Sequence, residues 1–226
     1  MNCIFICVFH NPKYVDMLFL LLDSIYTFGQ LDSNTDILIY TTSGFAKTVA
    51  DATRFKHKIR FLINDTYTSI QQACVSRLDL FRLLDELMHT KRPRLFQNSL
   101  LGYRYHRQET PDSSFRTCQK KCVIYTREGS IVNKSPNFWG GNLFSDAERA
   151  IHADKSAFTS GILLFKNCPE IRNLFDVIKR DLNERKTQNA FYDQPFIVYN
   201  AFKHNLFDNK VLRSYAVNRS SIRPRS

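Results

Sequence analysis

The sequence predicts an α/β domain whose central, mostly parallel sheet is covered by helices on both faces. Three observations carry that expectation. Short, mainly apolar runs occur at residues 2–9, 36–40 and 58–63, the pattern of strands buried on both sides. Between and after them, apolar residues recur at helical spacing. The two kinds of segment alternate, as they do in parallel-sheet folds. With 226 residues, the chain can bury one sizeable core, so a single domain over 1–226 is expected.

The elements follow in order. Residues 2–9 form a first strand. No basic segment precedes them and His10-Asn11-Pro12-Lys13 cuts the run short, so they read as a buried strand, not a signal peptide or a membrane span. Tyr14 to Phe28 is a helix, with Met17, Leu18, Leu21, Leu22 and Ile25 at helical spacing. Asp36–Tyr40 is a second buried strand, closed by a Thr-Thr-Ser-Gly turn, and Lys58–Ile63 is a third. Ile70 to Met88 is a helix with Leu78, Phe81, Leu84 and Leu87 on one face. In the later half, a Ser160-Gly161 turn feeds a continuous apolar strand ending at Phe165. Helices then run from Glu170 to Arg185 and from Pro195 to Phe202, the latter opened by Asp193-Gln194, with proline at a first-turn position it tolerates. There is no internal repeat or low-complexity tract.

Hydrophobic residues at 43% and aromatics at 13% mark a globular chain. The net charge of +11 invites a nucleic-acid reading, but its location argues against one. Residues 91–121 hold eight Lys or Arg against Glu109 and Asp112, a net of +6, and residues 211–226 add four Arg and no acid. The rest of the chain is nearly neutral, whereas a groove-binding protein spreads its charge along a folded face. None of the six cysteines forms a Cys-x-x-Cys pair or has a His at zinc spacing, and Cys3 and Cys7 sit inside an apolar run. A reducing, cytoplasmic location is the expectation.

Ligands of open α/β sheets bind beyond the carboxyl ends of the strands. The loop after the first strand, Phe9-His-Asn-Pro-Lys-Tyr14, is therefore where a nucleotide base is expected. With Ser76-Arg-Leu-Asp79, Ser160-Gly161 and Asp193-Gln194 following in order, the chain resembles glycosyltransferases of the GT-A kind close to family 8. The resemblance covers roughly residues 2–88 and 122–217. It is nearest to the compact glycosyltransferase domains of large DNA viruses of algae and amoebae, which glycosylate their own capsid proteins. It implies a GT-A domain that moves a sugar from a nucleotide-diphosphate donor, UDP-linked, to a hydroxyl acceptor on a glycan or protein such as a viral capsid glycoprotein. Retention at the anomeric centre and action in the host cytoplasm are further expectations.

The same resemblance assigns roles. Asn11 and Tyr14, with Phe9 beside them, contact the base; a capped turn before a helix is the bland alternative. Arg77 points at the diphosphate, which a guanidinium suits, although a solvated helix arginine would look the same. Ser160 and Gly161 line the sugar pocket, and Asp193 and Gln194 face the reacting carbon as the catalytic pair. Asp193 also suits a helix N-cap. Trp139-Gly-Gly141 resembles the acceptor-side or lid region of some relatives. His10, His152 and His204 are isolated and read as surface or satisfied residues.

One expected part is missing. The family uses an Asp-x-Asp that ligates Mn²⁺ or Mg²⁺, ending a strand just after the Arg77 helix. In its place the chain has Pro93 to Gln108, with Gly102, Tyr103 and Arg104 where the motif should fall. Reading each codon one base later from Phe96 permits Lys-Ile-Leu-Tyr-Leu-Asp-Thr-Asp-Ile-Ile-Val-Lys, the expected strand and motif without a gap. Residues 92–118 are therefore read as an out-of-frame or aberrant segment, which also accounts for their charge. Residues 218–226 read as an aberrant or truncated C-terminus where relatives continue to a metal-ligating His. Two rival readings follow: a catalytically dead sugar-nucleotide-binding relative, and, from charge alone, a basic nucleic-acid-binding domain.

Overall fold

A computed structural model describes residues 2–29, 31, 33–52, 59–89, 99–101, 127–133, 135–185 and 192–208. The chain divides into two compact units, Met1–His106 and Arg107–Ser226.

In the first unit, strands β1 (Asn2–Val8), β2 (Thr35–Thr41), β3 (Ile59–Ile63) and β4 (Ser99–Leu101) lie in the order β3-β2-β1-β4. All three pairings are parallel. β1 meets β2 from Asn2↔Thr35 to Val8↔Thr41, β2 meets β3 from Ile37↔Ile59 to Thr41↔Ile63, and β4 joins at Asn2↔Ser99. Helices α1 (Lys13–Phe28), α2 (Ser43–Ala52), α3 (Ile70–Val75) and α4 (Leu80–His89) alternate with the strands. Because successive strand residues face opposite sides, β1 and β2 feed two cores. Ile4, Val8, Ile37 and Ile39 pack with Val15, Leu18, Leu22 and Ile25 of α1 and Val49 of α2. The alternate positions Phe5, Cys7 and Tyr40 pack with Phe9, Leu83 and Ala73 on the opposite side. That is the two-faced sheet the apolar runs predict.

One expectation is corrected in this unit. The stretch from Ile70 to Met88 is not one helix: a 3₁₀ turn at Ser76–Asp79 separates α3 from α4. Ser76 Oγ donates back to the Ala73 carbonyl at 2.7 Å, a local bond that competes with regular helix, and Asp79 at the end of the turn is held by two tyrosine hydroxyls. Within the basic segment after Pro93, residues 99–101 form β4, which supplies ladder partners to the start of β1. The remainder of 92–118, and all of 218–226, lie outside the described residues.

The second unit contains β5 (Arg127–Gly129) antiparallel to β6 (Ala157–Phe158), 3₁₀ turns at Pro136–Trp139 and Gly141–Leu143, α5 (Asp146–His152), β7 (Leu164–Phe165), α6 (Pro169–Arg185) and α7 (Asp193–Lys203). A capping box between Ser145 and Glu148 fixes the start of α5. The strand expected to follow Ser160-Gly161 is shorter than the apolar run, since only Leu164 and Phe165 are extended as strand. Helix α7 is buried on every side from Asp193 to Phe202. Around its far end Phe144, Phe158, Tyr199, Phe202 and Phe207 form a chain of ring contacts 4.5–6.3 Å apart, a geometry that adds to their area burial. Among the described residues no helix is long and apolar enough to cross a membrane.

Candidate functional site

In the first unit, the loops of interest lie at the carboxyl ends of β1, β2 and β3. Thr41 Oγ1 donates to the Val8 carbonyl at 2.6 Å, tying the ends of β1 and β2. His10, with φ of 69°, closes β1 and lies with Nδ1 2.9 Å from the Thr68 carbonyl oxygen, so the first loop is tied to the loop after β3. Asn11 Oδ1 accepts from Lys13 N at 3.0 Å, and Tyr14 N donates to the Asn11 carbonyl at 2.9 Å. This is an Asx turn leading into α1, whose N-cap is Pro12. Tyr14 presents an exposed ring one turn further on. Phe9 is only 1% exposed. Its ring lies 4.9 Å from that of Tyr40 and 5.2 Å from that of Tyr67, as part of the core beneath the loop.

Below that loop is a polar knot the sequence did not single out. Asp79 Oδ2 accepts from Tyr67 OH at 2.6 Å and from Tyr40 OH at 3.2 Å, and Arg82 stands 3.5 Å away. Asn64 Nδ2 donates to Tyr40 OH at 2.7 Å. Burial is the largest cause pushing both phenols above their ordinary range; the bond to the Asp79 carboxylate then adds to it for Tyr67. The knot locks residues 64–67 onto the 3₁₀ turn that carries Arg77. Arg77 is half-buried and its Nε donates to the Cys74 carbonyl at 3.3 Å.

In the second unit the Ser160-Gly161 turn and the start of α7 are physically joined. Gln194 Oε1 accepts from Ser160 N at 2.5 Å, and Gln194 Nε2 donates to the Phe158 carbonyl at 2.6 Å. Ser160, Asp193 and Gln194 are buried, while Gly161 is exposed, with only Thr159 Oγ1, at 3.9 Å, near where a Cβ would stand. The N-cap of α7 is Tyr192, and Asp193 is the first helical residue, so Asp193 is not the cap. As an acid in the first turn it is still placed favourably toward the helix dipole. Tyr192 holds φ 52° and ψ −125°, a backbone region costing a non-glycine residue about 1–3 kcal/mol. Gly140, at φ +81°, lets its turn approach α7 so closely that a Cβ would stand 2.5 Å from the Pro195 carbonyl oxygen. This gives Gly140, of the Trp139-Gly-Gly141 stretch, a packing role.

Within each unit, then, the structure brings Asn11 and Tyr14 to one loop-and-helix start, and Ser160, Gly161, Asp193 and Gln194 to one turn-and-helix junction. The other histidines have structural settings: His152 packs edge-on to Phe144 and Phe202, and His204 ends α7. Gly102, Tyr103 and Arg104 lie outside the described residues. Among the described residues no three His, Cys, Asp or Glu side chains come together as a metal-binding group. Sequence reading missed Tyr40, Tyr67 and Asp79 because their contacts span 12 to 39 residues. Nor could it see that Tyr192 is strained, since φ is not a property of residue type.

No protein-family model matches the chain, and no curated protein does. Among solved structures it is similar to the galactosyltransferase LgtC in complex with donor and acceptor sugar analogs, with a TM-score of 0.57 and 15% identity over 89% of this chain and 70% of that one. An active-site mutant of LgtC matches at a TM-score of 0.57 and 14% identity over the same shares. The Mn/GDP form of core-mannan synthase A from Aspergillus fumigatus is a more distant likeness, with a TM-score of 0.45 and 11% identity over 92% of this chain and 70% of that one. The likeness to LgtC is one of architecture, and it matches the α/β arrangement read from the sequence: the chain has the fold of the GT-A glycosyltransferases.

Proposed function

We propose that this protein transfers a sugar from a nucleotide-diphosphate donor, UDP-linked, to a hydroxyl acceptor with retention at the anomeric carbon. The observation that carries the reading is the junction of Ser160-Gly161 with Asp193-Gln194, the two motifs of the resemblance, within a fold shared with a galactosyltransferase. An exposed glycine beside a buried serine, facing the start of a helix that opens with a carboxylate, suits a sugar ring presenting several hydroxyls.

In the reaction, the bond between the anomeric carbon and the diphosphate oxygen breaks, and the electron pair leaves with the nucleotide. A bond forms from the acceptor oxygen to the same carbon on the same face, and the acceptor's hydroxyl proton passes to the departing diphosphate. Asn11 and Tyr14 hold the base above the Phe9 core, and Arg77 pairs with the diphosphate as negative charge grows on it. Asp193 holds sugar hydroxyls and stabilises positive charge at the anomeric carbon in the transition state. A carboxylate pair suited to glycoside hydrolysis is not evident in the sequence, which disfavours a hydrolase.

The divalent ion expected from the resemblance does not fit the residues present. A hard cation wants several oxygen ligands. Gly102, Tyr103 and Arg104 supply no carboxylate, and the described residues hold no substitute cluster. No step is assigned to a metal. That absence of carboxylates favours one second reading, a relative that binds sugar nucleotides without turning them over. Assaying a panel of nucleotide sugars for donor hydrolysis, with and without Mn²⁺, separates the two. Turnover supports the transferase, binding alone supports the inactive relative, and neither overturns both. The acceptor is a glycan or protein hydroxyl, and a capsid glycoprotein in a host cytoplasm is the one the viral resemblance suggests.

A further inference from the structure

Gln194 spends both ends of its carboxamide on backbone: the oxygen accepts from Ser160 N and the nitrogen donates to the Phe158 carbonyl. In an extended chain the carbonyl of one residue and the N–H two residues later face the same side. A neighbouring parallel strand would fill that pair with the C=O and N–H of a single residue. Beyond β6 a side-chain amide takes that place.

We propose that Gln194 is a positioning residue whose carboxamide serves as a rung of a strand ladder, fixing the Ser160-Gly161 turn to the first turn of α7. Gln194, Ser160 and Phe158 are all buried, so neither hydrogen bond is open to exchange with water on the surface. The strained Tyr192 immediately precedes this helix start. Such a conformation persists only where the surroundings over-determine it, and a buried two-point clamp two residues later is such a determinant. The functional part of the inference rests on reading the Ser160-Gly161 turn as the donor-sugar side. The clamp itself does not.

Replacing Gln194 with Glu gives a direct test. Protonated Glu keeps one acceptor and gains one O–H donor, matching the set Gln uses here, whereas ionised Glu has acceptors only. One of its oxygens would then face the Phe158 carbonyl. Among the described residues, 157–161 and 136–143 contain no ionisable side chain, and on β5, which pairs with β6 at Arg127↔Phe158, Arg127 and Glu128 carry opposite charges. On α7 the adjacent ionisable group is Asp193. On α6, Asp181 engages Asn200, and Arg185 donates to the Leu143 carbonyl and stacks on Tyr199, further along the helix. The introduced carboxyl therefore has its folded pKa raised above the unfolded value of about 4.3. With a raised folded pKa, stability is present at low pH and lost as pH rises through the folded value.

Thermal unfolding of the full chain, without donor, is followed from pH 4 to pH 8 for wild type, Gln194→Glu and Gln194→Met. Subtracting wild type removes the titrations all three share. Gln194→Glu should match wild type near pH 4 and fall below it by roughly 5 °C or more at pH 8. Gln194→Met, which leaves both backbone groups without the amide, should be low throughout. A pH-independent difference between Gln194→Glu and wild type overturns the proposal. Should neither variant fold, hydrogen exchange of the wild type decides. Protection of Ser160 N–H and one Gln194 Nε2 proton by roughly a hundredfold or more supports the clamp, and rapid exchange of both Nε2 protons overturns it. A separate titration with UDP-sugar reads the donor assignment, so loss of one idea leaves the other standing or falling by itself.

Discussion

Adding one methyl group at Gly140 tests how the second unit holds the start of α7. At φ +81° an alanine enters the left-handed region, which costs about 1–2 kcal/mol. Its Cβ would also stand 2.5 Å from the Pro195 carbonyl oxygen, 3.1 Å from the carbonyl carbon and 3.2 Å from Cα, all backbone atoms that no rotamer change can move. Overpacking of this kind costs about 1–3 kcal/mol. The total of about 2–5 kcal/mol corresponds to a fall in Tm of roughly 5–15 °C for a chain of this size. Gly161→Ala is the matched control. The new Cβ meets only Thr159 Oγ1 at 3.9 Å, and φ is not left-handed, so stability should stay within about 0.5 kcal/mol of wild type. Thermal denaturation of the two variants in one buffer makes the comparison. Donor hydrolysis then separates them the other way, because a methyl on the exposed turn occupies space proposed for the sugar. A Gly140→Ala protein as stable as wild type, or a Gly161→Ala protein less stable than Gly140→Ala, would refute this account of the junction.

Three further outcomes are expected. Asp193→Ala should abolish transfer while leaving nucleotide affinity largely intact, and Arg77→Ala should instead weaken nucleotide-diphosphate binding about tenfold or more; calorimetric titration with UDP and donor assays read both. Tyr67→Phe should cost about 1–2 kcal/mol at neutral pH by removing the 2.6 Å bond to Asp79. Because the Tyr67 phenol is raised by burial and then by that bond, its contribution is present below about pH 10 and lost as pH climbs further. Urea unfolding between pH 8 and 11 should therefore fall more steeply for wild type than for Tyr67→Phe. Replacing Gln97 to Arg104 with Lys-Ile-Leu-Tyr-Leu-Asp-Thr-Asp should confer Mn²⁺ binding measurable by calorimetry; no binding would count against the frame-slip account or show the C-terminal ligand to be indispensable.

What the sequence disclosed is what depends on local pattern. Ile4, Val8, Ile37 and Ile39 announce buried strands by type and spacing, and Leu18, Leu22 and Ile25 announce the covering helix. The junction motifs were legible as residues but not as a geometry. Asp193 has the chemistry of an N-cap, yet the chain enters α7 through a left-handed Tyr192, which shifts the cap by one position. Gln194 reads as a reactive-site residue, and only the folded positions of Phe158 and Ser160 show where its amide goes. The grip of Tyr40 and Tyr67 on Asp79, at the end of the Ser76–Asp79 turn, was hidden because those contacts are long-range. Ile162 and Leu163 are apolar enough for a strand but lie outside one, since periodicity does not report ladder partners.

The full enclosure of Asp193 to Phe202 has a consequence for how the protein can vary. A helix with one wet face can slip or rotate slightly and hide the error against solvent. This one has no such face, and turning it by a single residue would swing every side chain by about 100° into a wall shaped for another. Its register is therefore dictated by what surrounds it and not by the chain that leads into it. Across homologous chains, Asp193 to Phe202 should keep one register.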